Sequence, residues 1–256
     1  MRLVSATVYV ALLFVVSGCA SIEKYKQDEQ KNERIAQTHV QLGVGYLQQG
    51  KLEVALEKLQ KALDAKYDYA PAHSTIALVY ERLLKFDKAS FHYLEAIELS
   101  PENGGMYNNY GVFLCNQGKP LEAEKYFIKA LQTPRYPTPE LAYENAGACA
   151  RKIPDMKKSE SYLTEALKRD PNLPVALLNM AEIRFEQNNF LSSRGFLQRF
   201  EALSQHSAQS LWLGIQVERK LGDKNAESHY AKELQSKFPK SEQFKLLMNS
   251  QGENQS

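Results

Sequence analysis

The residues of this 256-residue chain best suited to chemistry are five histidines and three cysteines. The histidines are His39, His73, His92, His206 and His229. They form no His-Glu-x-x-His pair, so the sequence offers no helical zinc site of the metalloprotease type. His39 and His73 occupy equivalent positions of a repeating pattern whose other copies carry large residues there, which reads as packing. His92 and His229 each precede a tyrosine and read as surface groups. There is no nucleophile elbow, and Gly43-Val44-Gly45 lacks the rest of a dinucleotide fingerprint. Glu53, Glu57, Lys58 and Lys61 fall at helical spacing and read as a solvated face with i,i+4 pairs. The expectation is a chain without catalytic residues, cofactor, metal or small-molecule substrate.

One cysteine carries a different chemistry. Arg2 precedes a mostly apolar run, Leu3 to Val16, too short to read as a spanning helix, and then Val16-Ser17-Gly18-Cys19. Small residues before a cysteine resemble a bacterial lipobox. The resemblance implies cleavage after Gly18 and lipidation of Cys19, hence a signal peptide over 1–18. Several acyl chains on one cysteine give durable anchoring, at ~0.8 kcal/mol per buried methylene. Ala20, Ser21 and Ile22 follow, with no Asp next to the cysteine, so the expected location is the periplasmic face of the outer membrane. Cys115 and Cys149 remain. An exported chain can form disulfides, but two small buried hydrophobes are the favoured reading of this pair.

Ala55, Ala89 and Ala123 recur at one fixed interval, and their surroundings repeat with them. A period of about 34 residues marks the tetratricopeptide repeat, a unit of two antiparallel helices that buries its apolar faces only by stacking. The fold class expected is all-α, a right-handed solenoid of about six repeats. They are placed at about 36–69, 70–103, 104–137, 140–173, 174–206 and 207–240. A polar segment, 19–35, precedes them as a tether or exposed helical lead-in, and a capping segment and tail follow over 241–256. Thr133-Pro134-Arg135-Tyr136-Pro137-Thr138-Pro139 shifts the phase by two residues and reads as a stiff loop. The fifth repeat is degenerate, with Ser193 and Phe200 where alanines are expected. Net charge is only +2 and no long basic run occurs, which argues against a nucleic-acid partner.

The default use of such a solenoid is to hold another protein in its groove. Inward-facing positions lie on the first helix of each repeat. The candidates are Val40, Val44 and Leu47 in the first repeat and Leu78 and Arg82 in the second. Asn108, Val112 and Asn116 follow in the third. They form an apolar strip edged with amides and charge, suited to an amphipathic helix or an extended peptide. Glu144, Arg151 and Lys152 make the fourth repeat's share polar.

The third repeat reads Met106-Tyr107-Asn108-Asn109-Tyr110-Gly111-Val112-Phe113-Leu114-Cys115, more particular than any repeat consensus. With the lipobox, six repeats and Gly147-Ala148-Cys149, it resembles the PilF/PilW family of type IV pilus biogenesis lipoproteins. The resemblance spans essentially the whole chain. It implies a non-enzymatic pilotin that binds the pilus secretin and promotes its membrane localisation and multimerisation, or a factor in pilus stability. Two alternatives share the same architecture: a lipoprotein scaffold for cell-wall enzymes, and a factor in outer-membrane protein assembly.

Overall fold

The structure is a computed structural model that describes residues 4–153 and 155–252, with side chains described for 23–153 and 155–250. The expected cleavage and lipidation site at Gly18–Cys19 lies outside the described side chains, and the last residues of the expected tail, 253–256, lie outside the described residues. Among the described residues the regular elements are all helices, without a strand: α1 (Val4–Gln48), α2 (Leu52–Ala65), α3 (Ala70–Arg82), α4 (Phe86–Leu99), α5 (Gly104–Asn116), α6 (Pro120–Gln132), α7 (Pro139–Ala150), α8 (Met156–Arg169), α9 (Pro174–Glu186), α10 (Phe190–Glu201), α11 (Ala208–Leu221), α12 (Lys224–Lys237) and α13 (Glu242–Gly252). Among the described residues no helix is long and apolar enough to cross a membrane. The chain divides into unit 1, Met1–Tyr110, and unit 2, Gly111–Ser256. The fold is an all-α array of tetratricopeptide helix pairs.

One contact recurs from pair to pair. A glycine on the first helix faces a large residue on the second at Gly43–Leu59, Gly111–Phe127, Gly147–Leu163 and Gly214–Tyr230, and Ala77 with Tyr93 and Ala181 with Leu197 stand at the same interval in sequence. A Cβ added at Gly43 would stand 2.6 Å from Leu59, and one at Gly111 would stand 2.7 Å from Phe127. The missing side chain is therefore what lets the helices close. Leu59, Tyr93, Phe127, Leu163 and Leu197 are at most 1% exposed, each burial favouring the fold by roughly 1.5–3 kcal/mol.

The turns keep the same period. Gly50, Leu84, Gly118, Asn188 and Gly222 all have positive φ, between 57° and 78°. Helix starts are marked as expected of their residues. Proline opens α6, α7 and α9. Asp155, Asn189 and Asp223 accept backbone N–H groups of the first turns of α8, α10 and α12. Ser207 and Ser210 form a capping box on α11.

Unit 1 is α1 to α4 with the first part of α5. Residues 23–35 form the exposed lead-in of α1, whose Glu29 meets Lys66 at 3.6 Å. Its core is Ala36, Leu47, Ala55, Leu59, Ala62, Leu63, Ala72, Ile76 and Val79. His73 is 1% exposed. Its Nε2 faces the Tyr67 carbonyl at 3.0 Å, so this nitrogen carries the proton. Its Nδ1 lies 3.0 Å from His92 Nδ1 and accepts from it. His92 is half-buried and stacked on Tyr80, which corrects its reading as a surface group. Burial first, then electrostatic interaction with His73 and Lys88, push its pKa down to about 4.

In unit 2 the repeats are tied by polar groups as well as by packing. Ser159 and Ser193 stand in the alanine position, fully buried, and donate to the carbonyls of Gly147 and Ala181 at 2.7 Å. The degenerate serine thus satisfies a helix carbonyl without enlarging the contact. Phe200 is 6% exposed and joins the core around Leu177, Leu211 and Ile215. Leu247 of α13 enters the same core, so this segment covers the end of the array. Glu218, 3% exposed, is paired with Arg194, whose Nε donates at 2.9 Å.

Cys115 on α5 and Cys149 on α7 form a disulfide, with Cα atoms 5.9 Å apart. This overturns the reading of two unpaired buried hydrophobes. The phase places both residues at equivalent points of neighbouring first helices, and stacking brings those points within bridging distance.

Candidate functional site

No group of three or more metal-ligating side chains occurs among the described residues. The nearest approach to a catalytic constellation is in unit 2. Glu201 Oε1 lies 3.3 Å from His206 Nε2, and His206 Nδ1 lies 3.0 Å from Ser210 Oγ. Ser210 is fully buried and its hydroxyl donates to the Ser207 carbonyl, so it is spent on the cap of α11. Burial raises the Glu201 carboxyl, but hydrogen bonds from His206 and Tyr230 outweigh it and hold the pKa below the ordinary range. The arrangement is a buried strut.

In unit 1 the candidate groove residues separate. Val40 and Val44 are half-buried on α1, while Leu78 is 39% exposed and Arg82 exposed on α3. Val44 and Leu78 are one repeat period apart, so they occupy equivalent places on the two first helices. Leu47 does not belong with them. It is 8% exposed and belongs to the core that residues of α2 and α3, among them Leu59, Ile76 and Val79, build with α1. Asn108 is also buried at 8%, beside Asn109, whose amide donates to Ser74 Oγ at 3.4 Å.

In unit 2, Val112 is half-buried and Asn116 exposed. Both line a pocket of about 180 Å3 with Asn145, Ala148, Lys152 and the disulfide. Lys152 Nζ donates to the Cys115 carbonyl at 2.9 Å, fixing the ammonium at the rim. Glu144 is not available to a groove. It is 8% exposed, and its Oε1 accepts the Ala176 N–H at 2.8 Å, capping α9 from the preceding pair.

A larger pocket, about 300 Å3, was not anticipated. Arg151, Glu182, Phe185, Glu186, Gln209, Trp212, Leu213 and Gln216 line it. Arg151 Nη2 bridges Glu182 at 3.2 Å and Glu186 at 2.7 Å. Gln209 donates to Glu182 at 2.9 Å. Burial raises the Glu182 carboxyl above its ordinary pKa, against the opposing effects of Arg151 and Gln209. Phase would have found this pocket: Leu78, Val112, Ala148 and Glu182 follow one another at the repeat spacing once the two-residue shift is included.

Comparison with known proteins bears on what these faces serve. Two sequence models of the tetratricopeptide repeat match residues 70–103 and 92–125. The type IV pilus assembly protein PilF of Pseudomonas aeruginosa is 28% identical over 245 residues, covering 93% of this chain and 97% of its own. A protein of Haemophilus influenzae is 32% identical over 137 residues, covering 54% of this chain and 75% of its own. The solved structure of Pseudomonas aeruginosa PilF superposes with a TM-score of 0.79 at 27% identity, covering 86% of this chain and 99% of that one. That of PilW, described as a widely conserved type IV pilus biogenesis factor, gives 0.75 at 28%, covering 84% and 98%. The PilF match spans nearly the whole of both sequences, and each of the two superposed structures is covered almost completely. This chain is a tetratricopeptide-repeat protein of the PilF/PilW type.

Proposed function

We propose that the chain is an outer-membrane lipoprotein, anchored through Cys19 on the periplasmic face, that binds the type IV pilus secretin and promotes its multimerisation. A role in type IV pilus biogenesis rests on the likeness to PilF, which covers 97% of that protein. The Cys115–Cys149 bridge supports an exported chain, since such bridges persist in oxidising compartments. The physical role fits a groove without chemistry. A secretin subunit exposes strand edges and apolar surface until its ring closes. Tethered binding raises the local concentration of subunits at the membrane. Ring closure then supplies the driving force.

The contact surface in this reading is the unit-1 strip. Leu78 and Val44 are apolar where the fold gains little from them, and Arg82 supplies charge at the edge. Val44→Glu with Leu78→Glu should leave the protein folded and attached. Affinity for the secretin should fall about a hundredfold, since ~2.7 kcal/mol suffices and desolvating an unpaired charge costs that much. The matched control is Glu57→Lys with Lys61→Glu, which reverses an exposed pair 3.0 Å apart. Secretin multimers are read on gels without boiling, and Cys19→Ser with labelled fatty acid reads the anchor. Normal multimers in the groove variant at equal protein level would remove the strip. Fatty acid on the Cys19→Ser protein would remove the anchor.

A further inference from the structure

We propose that the Arg151–Trp212 pocket of unit 2 is a separate docking site, for an extended peptide presenting a lysine or arginine beside an apolar side chain. The inference does not depend on the pilus reading. Trp212 is the only tryptophan of the chain. Its indole is half-buried, packed on the unit-2 core on one side and lining the pocket on the other. Phe185 and Leu213 complete an apolar wall.

Charge selects the occupant. The lining carries two carboxylates, Glu182 and Glu186, against one guanidinium, Arg151. Glu182 is turned inward, with 17% of its side chain exposed, and is held by both Arg151 and Gln209. Glu186 keeps 42% of its side chain exposed. An anionic ligand would meet this excess of negative charge. A purely apolar ligand would strip water from Glu186 and return no hydrogen bond. A basic side chain answers both conditions, pairing with Glu186 while its cation lies against the indole face, and its apolar neighbour covers Phe185.

Trp212 makes the site self-reporting. The probes are acetyl-Ala-Leu-Arg-Leu-Ala-amide and its Gln and Glu counterparts, titrated into the full chain while tryptophan emission is followed. The Arg peptide should give a saturable change, with the Gln peptide at least about tenfold weaker and the Glu peptide weaker still. Glu186→Gln should weaken the Arg peptide about tenfold without altering the emission spectrum of the free protein, which reports that the pocket is intact. Arg151→Gln removes the internal competitor and should tighten the Arg peptide. That gain cannot come from a damaged fold. Equal affinity for the Arg and Gln peptides would overturn the proposal. So would preference for the Glu peptide with loss of binding in Arg151→Gln, or the absence of any saturable change with the Arg peptide.

Discussion

Reduction of the Cys115–Cys149 bridge should destabilise unit 2 far more than any single surface change. The two residues are 34 apart in sequence, so the crosslink removes loop-closure entropy from the unfolded chain worth about 3.8 kcal/mol at 25 °C on the chain-entropy account. No atom is lost on reduction, and packing contributes little to the difference. Cys115→Ala with Cys149→Ala adds a second cost, because both side chains are buried, at 6% and 3% exposure. Replacing each sulfur by nothing should cost roughly a further 1 kcal/mol per site, as for one buried methylene-sized deletion. A shift of about 2–4 °C per kcal/mol in a domain of 150–250 residues gives a fall of about 8–15 °C on reduction, and more in the double variant. Calorimetry of oxidised and reduced protein in a Cys19→Ser background measures the first, with thiols titrated after unfolding. A transition moved by less than about 3 °C, or two free thiols in protein never exposed to reductant, would refute the reasoning.

Two further outcomes follow from unit 1. Leu84 is 73% exposed and has a φ of 57°, where the equivalent turns use Gly50, Gly118 and Gly222. A left-handed leucine costs about 1–2 kcal/mol, partly offset by the flexibility that glycine restores to the unfolded chain. Leu84→Gly should therefore raise stability by about 0.5–1 kcal/mol in urea denaturation and Leu84→Ala should not. An equal response to the two would show that φ is not the cause. His92 gives a pH dependence. Its pKa is lowered from 6.5 to about 4, so between these values the folded state binds fewer protons than the unfolded one. Its contribution is present above pH 6.5 and is lost as pH falls towards 4. His92→Asn, whose amide can donate to His73 in place of Nδ1–H, should show a shallower loss of stability over this window. Parallel stability profiles for variant and parent would exclude His92 as a source.

How much of this was legible depended on whether a feature repeats with the period. The small-on-large contact does, so Gly43, Ala77, Gly111 and Gly147 mark the helix pairs from sequence, and the proline-rich loop marks the break in phase. Leu47 failed because the first-helix pattern names a face of one helix and not what the next first helix covers. Leu47 shares one core with residues of α2 and α3, so this candidate became core. The disulfide failed for a related reason: the equivalence of the two cysteines was visible, but the 5.9 Å between their Cα atoms is a product of stacking. His92 was misread because the tyrosine beside it was taken to own the inward direction, whereas His73 and Tyr80 hold the imidazole between them. The pocket at Trp212 is the instructive case. The same phase that places Leu78 at the inner face places Glu182 there too, but an apolar strip was the pattern sought, and a carboxylate does not extend it. Positions follow the period while chemistry changes along it. At the position where unit 1 presents Val44 and Leu78, unit 2 runs from Val112 through Ala148 to Glu182, and Arg151 and Trp212 stand beside that glutamate, so the two faces differ in the side chains they can recognise.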